Sequence, residues 1–147
     1  MPVGELCTRQ TVVARCGTSV HQAAKLMRQH HVGDLIVIDQ VNSKPIGIVT
    51  DRDIVIEILA QGLDPSGISV EDIMTRDLVV VQERAGIFEA IEKMRSKGVR
   101  RMPVVNVEGT LVGILSVDDL IEILADELGA LAKLISREQK HEAELRT

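Results

Sequence analysis

Gly47-Ile48-Val49-Thr50-Asp51-Arg52-Asp53-Ile54 occurs a second time as Gly113-Ile114-Leu115-Ser116-Val117-Asp118-Asp119-Leu120. Each copy reads Gly, apolar, apolar, Ser or Thr, two variable residues, Asp, apolar. An apolar run entering a hydroxyl residue, with a carboxylate three positions on, predicts a strand running into a helix start. Two readings of Thr50…Asp53 and Ser116…Asp119 stand side by side. A hydroxyl N-cap with an acid at the third helical position is close to a capping box, which satisfies orphan backbone N–H groups. The same corner offers free N–H groups and the positive end of a helix dipole to phosphate. An acid one turn in can accept hydrogen bonds from ribose hydroxyls. The duplication favours the functional reading.

The duplication extends outward from these corners. Adding 67 to a number in the first half finds its match in the second. Leu6-Cys7-Thr8-Arg9 pairs with Ile73-Met74-Thr75-Arg76, Val12-Val13 with Val79-Val80, and Val32 with Val99. After Asp39 and Asn106 the offset drops to 66, so the first copy carries one extra residue at a turn. Short apolar runs, Thr11 to Ala14 and Leu78 to Val81, predict brief strands. Val20, Ala23, Ala24 and Met27 recur at i, i+3, i+4, i+7, as do Ile87, Ala90, Ile91 and Met94, which predicts amphipathic helices. Thr18 is the expected N-cap of the first and Gly98 the expected stop of the second. Strands follow at Leu35 to Asp39 and Met102 to Asn106, then at Ile46 to Val49 and Leu111 to Leu115. Closing helices are expected from about Arg52 to Ala60 and from about Asp118 almost to Leu145.

The expected fold is therefore α/β (α+β): two β-α-β-β-α repeats packed as a pseudo-two-fold intramolecular pair. Repeat 1 spans residues 5–62, a linker 63–71, repeat 2 residues 72–127 and a helical extension 128–147. One repeat of about 60 residues is marginal alone. Strands apolar on both faces, such as Leu35-Ile36-Val37-Ile38, demand cover on both sides.

The 147 residues are 45% apolar with a net charge of −5. This acidity, with Phe88 as the one aromatic residue, argues against a nucleic-acid surface, where basic side chains meet phosphate and aromatic rings stack bases. No apolar run is long enough to span a membrane. With no basic stretch leading into an apolar core, no secretion signal is expected, and the location is read as cytoplasmic. Cys7 and Cys16 lack CxxC spacing and are expected to be reduced, buried thiols. His30 and His31 close a helix, where a cation complements the dipole; no ligand cluster surrounds them, and no metal is expected. No acid/base couple, nucleophile triad or P-loop is present, so no catalysis is expected. Met27, Met94 and Met102 read as core.

The chain resembles a tandem pair of CBS domains, the repeat named after cystathionine β-synthase, over about residues 5 to 127. Ile73-Met74-Thr75, Arg100-Arg101-Met102-Pro103-Val104-Val105 and the two Gly-x-x-[Ser/Thr]-x-x-Asp stretches carry the resemblance through their order and spacing. The resemblance implies an intramolecular pair, a Bateman module, with two clefts for adenosine compounds: AMP, ADP, ATP, S-adenosylmethionine or NAD-type ligands. It implies no required cofactor and a regulatory role. It assigns ribose to Asp53 and Asp119, phosphate to Thr50, Ser116 and nearby basic side chains, and the base to Val12, Val13, Val79 and Val80. Met102 and Pro103 on the central strand are further candidate contacts.

The copies differ before that strand: Arg100-Arg101-Met102-Pro103 stands where the first copy has Gly33-Asp34-Leu35-Ile36. Guanidinium groups suit phosphate and Asp34 repels it. The Ser116, Asp119 and Arg101 cleft is thus expected to take a phosphorylated ligand. The Thr50/Asp53 cleft, helped by Arg52, suits a less anionic one. The alternative for Arg100 and Arg101 is a solvated basic patch near Glu83 and Glu108. The apolar stripe Leu128, Leu131, Leu134 and Ile135 is read as a packing arm for a second subunit in a homodimer, or as a solvated tail. With no other domain in the sequence, the output is expected to pass through the dimer or to a regulated partner. The competing function is a structural dimerisation module with empty clefts.

Overall fold

The computed structural model describes residues 1–146. The chain divides into two compact units, Met1–Leu115 and a second that begins at Ser116. In the first half α1 (Val3–Leu6), β1 (Val13–Arg15), α2 (Val20–His30), β2 (Asp34–Ile38), β3 (Pro45–Thr50) and α3 (Asp51–Ile54) follow in order. The second half repeats the pattern with β4 (Val81–Gln82), α4 (Ile87–Lys97), β5 (Arg101–Val105), β6 (Leu111–Ser116) and α5 (Val117–Leu145). The strands form two three-stranded sheets, β1-β2-β3 and β4-β5-β6. In the first sheet β1 runs parallel and β3 antiparallel to β2. The α/β pair of repeats expected from the sequence is the fold observed.

The initial strands start later than the apolar pattern predicts. Pairing begins only at Val13 and Val81, which leaves Val12, Val79 and Val80 in the approach. The N-cap of α2 is Ser19, not Thr18. Ser19 Oγ accepts the Gln22 N–H at 3.1 Å and Gln22 Oε1 accepts the Ser19 N–H at 3.3 Å, a reciprocal box. Thr18 is committed elsewhere: its carbonyl accepts the Val70 N–H at 2.9 Å. The closing helix of repeat 1 becomes a π-helix over Val55–Leu59, where Ala60 N–H reaches the Val55 carbonyl.

Gly98 ends α4 at φ +66°, as expected, and its counterpart at the end of α2 is His31 at φ +54°. A left-handed residue with a Cβ costs about 1–2 kcal/mol, part of which glycine's larger unfolded-state entropy cancels. His31→Gly is therefore expected to raise stability by about 0.5 kcal/mol, and Gly98→Ala to lower it by about 1 kcal/mol. Urea midpoints at constant slope measure both.

The repeats exchange their leading segments. Val3 and Gly4 donate N–H bonds to the carbonyls of Ala85 and Glu83 at 2.8 and 2.7 Å, and Thr8 and Ile114 exchange two more at 2.9 Å. Symmetrically, Val70 bonds Thr18, while Thr75 and Ile48 exchange bonds at 2.9 and 3.0 Å. Each leading segment thus caps the other repeat's sheet. Val3 and Val70 are fully buried. Val70 and Met74 join Ala14, Ala23, Met27, Leu35, Val37 and Val49 in one apolar core cluster. Met27, Met94 and Met102 are buried, as expected.

The motif glycines make this crossing possible. Neither has positive φ. A Cβ on Gly47 would lie 2.8 Å from Met74 Cγ and closer still to its sulfur; one on Gly113 would lie 2.7 Å from Cys7 Sγ and 2.8 Å from the Thr8 carbonyl oxygen. A side chain at either position would force the crossing segment, or the side chain on it, to move.

In the second unit, α5 is one continuous 29-residue helix through Gly129. Ile121, Leu124, Leu128, Leu131, Leu134 and Ile135 on it are exposed.

Candidate functional site

The first corner is built by β3 passing into α3. Thr50 caps the helix: its Oγ1 accepts the Asp53 N–H at 3.1 Å, and Asp53 Oδ2 accepts the Thr50 N–H at 2.9 Å. This is the complete capping box. The carboxylate expected to hold a ribose already has a local bond. At the second corner Ser116 Oγ accepts the Asp119 N–H at 3.1 Å, with no return bond from the Asp119 carboxylate to the Ser116 amide. Sequence-equivalent acids are thus committed differently: Asp53 braces its own helix start, while Asp119 keeps its oxygens available.

Arg101 does not join a patch with Glu83 or Glu108. Glu83 sits 3.6 Å from Arg9. Arg101 Nε lies 2.8 Å from Asp34 Oδ2. Asp34 is in register with Thr50 across β2 and β3, so the pair stands beside the first corner. The Asp34 side chain is 14% exposed and that of Arg101 47%. Burial pushes the Asp34 carboxyl above the usual carboxylate range. Arg101 opposes that shift and the Asp51 charge adds to it. Residue-by-residue reading missed this pair. The signal was present: residues 34 and 101 are 67 apart, so the pair joins equivalent positions of the two repeats.

The remaining candidates are distributed as follows. Arg52 and Arg100 are exposed. Val12 packs on the first core cluster, Val13 opens β1, and Val79 and Val80 are half-buried ahead of β4. The Val80 carbonyl accepts a bond from Lys93 Nζ at 2.5 Å. Met102 and Pro103 are fully buried, so their side chains lie in the core.

Cys7 and Cys16 are half-buried thiols, more open than expected. Burial raises the Cys16 thiol pKa, as do the Glu71 and Asp39 carboxylates, with Arg76 opposing. Such a thiol is a poor nucleophile. Among the described residues no group of His, Cys, Asp or Glu could hold a metal ion, and no helix is long and apolar enough to cross a membrane.

The sequence matches the CBS domain family twice, over residues 3–60 and 70–126. The chain belongs to the CBS domain family. The uncharacterized protein MK0525 from Methanopyrus kandleri is 33% identical over 121 residues, covering 82% of this chain. The match spans 61% of that relative's own length. A CBS domain protein from Pyrobaculum aerophilum, solved in complex with AMP, superposes with a TM-score of 0.73 at 30% identity, covering 82% of this chain and 90% of that one. The CBS domain pair of the protein MJ0100, solved with 5′-methylthioadenosine and S-adenosyl-L-methionine, gives a TM-score of 0.74 at 26% identity, covering 86% and 98%.

Proposed function

We propose that this CBS pair is a regulatory binding module for an adenosine compound, without catalysis of its own. Two observations support the reading together: the matched strand-to-helix corners, and solved relatives of the same fold holding AMP or S-adenosylmethionine and methylthioadenosine. AMP, ADP, ATP and S-adenosylmethionine or NAD-type compounds are the candidate ligands. Asp119 and Ser116 are assigned the sugar-phosphate portion, because the Asp119 carboxylate has no return bond to its cap. Thr50 and Asp53 form the weaker site. Repeat 1 (5–62) and repeat 2 (72–127) are the binding halves, and residues 128–147 form a packing arm. The exposed apolar residues of α5 support a homodimer, through which, or through a regulated protein, the ligand's effect passes. A ligand shifts that balance only by its difference in affinity for two states.

Calorimetry and dye-monitored melting test this, since the chain has no Trp or Tyr. A ligand at 100 times its dissociation constant is expected to add about 2.7 kcal/mol of stability. Asp119→Ala is expected to weaken AMP binding roughly tenfold, the loss of about one charge-assisted hydrogen bond. Asp53→Ala is expected to leave most of the affinity intact and to lower stability by about 1 kcal/mol through the lost box. Equal affinity losses from the two variants would sink the assignment. No melting shift from any adenosine compound would leave the structural dimerisation module in its place.

A further inference from the structure

Arg101, expected from the sequence in the Ser116/Asp119 cleft, stands instead beside the first corner and is already paired there. Its Nε points at Asp34 Oδ2 from 2.8 Å. The backbone fixes Asp34 in place, because it opens β2 opposite Thr50 in the strand register. Asp51 adds a second carboxylate close by, anchored by its N–H to the Gly33 carbonyl at 2.9 Å. At nearly half exposure the guanidinium remains reachable by solvent anions. A phosphate approaching it shares the guanidinium with a carboxylate and meets the fields of Asp34 and Asp51. A nucleoside without phosphate meets neither obstacle.

We propose that Asp34 is a specificity-determining residue: by holding Arg101, it lowers the affinity of the Thr50/Asp53 site for phosphorylated adenosine ligands relative to unphosphorylated ones. The inference rests on the adenosine-binding reading and adds the chemical class that the site disfavours. Asp34 acts through Arg101, so it is a positioning residue for that guanidinium. Asp34→Asn keeps the side chain's shape and removes its charge. The arginine then keeps its full positive field for an incoming phosphate.

The test is calorimetric titration of the full chain with AMP and with adenosine. In Asp34→Asn, the weaker of the two AMP sites is expected to tighten about tenfold, while adenosine binding stays within about twofold of the wild type. In the double variant Asp34→Asn/Arg101→Ala, the gain for AMP is expected to vanish. A purely structural role for Asp34 would move both ligands together, and that result overturns the inference. So does an AMP gain that survives loss of Arg101. If neither compound binds the wild type or the Asp34→Asn variant, the adenosine reading itself fails and the inference falls with it.

Discussion

Deleting residues 2–9 is expected to cost about 5 kcal/mol, comparable with the entire stability of many domains this size. Leading segments are ordinarily dispensable because they make few contacts. This one makes four backbone hydrogen bonds with Glu83, Ala85 and Ile114 of the other repeat. Each is worth roughly 1 kcal/mol net. Val3 is fully buried, and burying a valine contributes roughly 1.5 kcal/mol or more. Removing the segment also strips the cover from β6 at Ile114. Far-UV circular dichroism melting and urea unfolding are the measurements. Deleting 138–147, every described residue of which is exposed, is the length-matched control and is expected to change stability by less than about 1 kcal/mol. Equal effects from the two deletions would contradict the crossed arrangement.

Gly113→Ala is expected to cost about 2–3 kcal/mol, at the upper end for overpacking, while Gly47→Ala costs nearer 1 kcal/mol. The two glycines are equivalent in sequence, yet their obstacles differ in kind. The new methyl at position 113 meets the Thr8 carbonyl oxygen at 2.8 Å. That oxygen is fixed by the Ile114 N–H, so relief requires breaking the bridge. At position 47 the three nearest atoms all belong to the Met74 side chain, which has three rotatable bonds and can swing aside. Met74→Ala in combination with Gly47→Ala is expected to recover part of the loss, a coupling that a double-mutant cycle reads directly. Equal costs at the two positions would show that backbone proximity does not set the penalty.

Much of this fold was legible because the signals are local and doubled. The i, i+3, i+4, i+7 pattern placed α2 and α4, and the register of the repeat placed the two corners. Gly98 was legible as a helix stop because a left-handed cap selects its residue type; His31 was not, because there the protein tolerates strain instead. Ser19 rather than Thr18 caps α2 because Thr18 already serves Val70, a residue remote in sequence. The π-turn at Val55–Leu59 leaves no mark that separates it from an α-helix of the same apolar spacing. At the corners, the motif Thr-x-x-Asp and the motif Ser-x-x-Asp looked alike. Whether the acid bonds back to its own cap is settled by side-chain orientation, which spacing does not encode.

The exchange of leading segments also bears on how the chain reaches its native state. Residues 1–9 leave the ribosome long before Ile114, the partner they must find. Repeat 1 likewise waits for Val70 and Met74 to complete its interior. Repeat 1 can complete its interior once Met74 has emerged, whereas residues 1–9 must wait for the strands of repeat 2. The last step of folding, docking of the leading segment on the far repeat, is therefore a pairing distant along the chain, and such contacts slow folding.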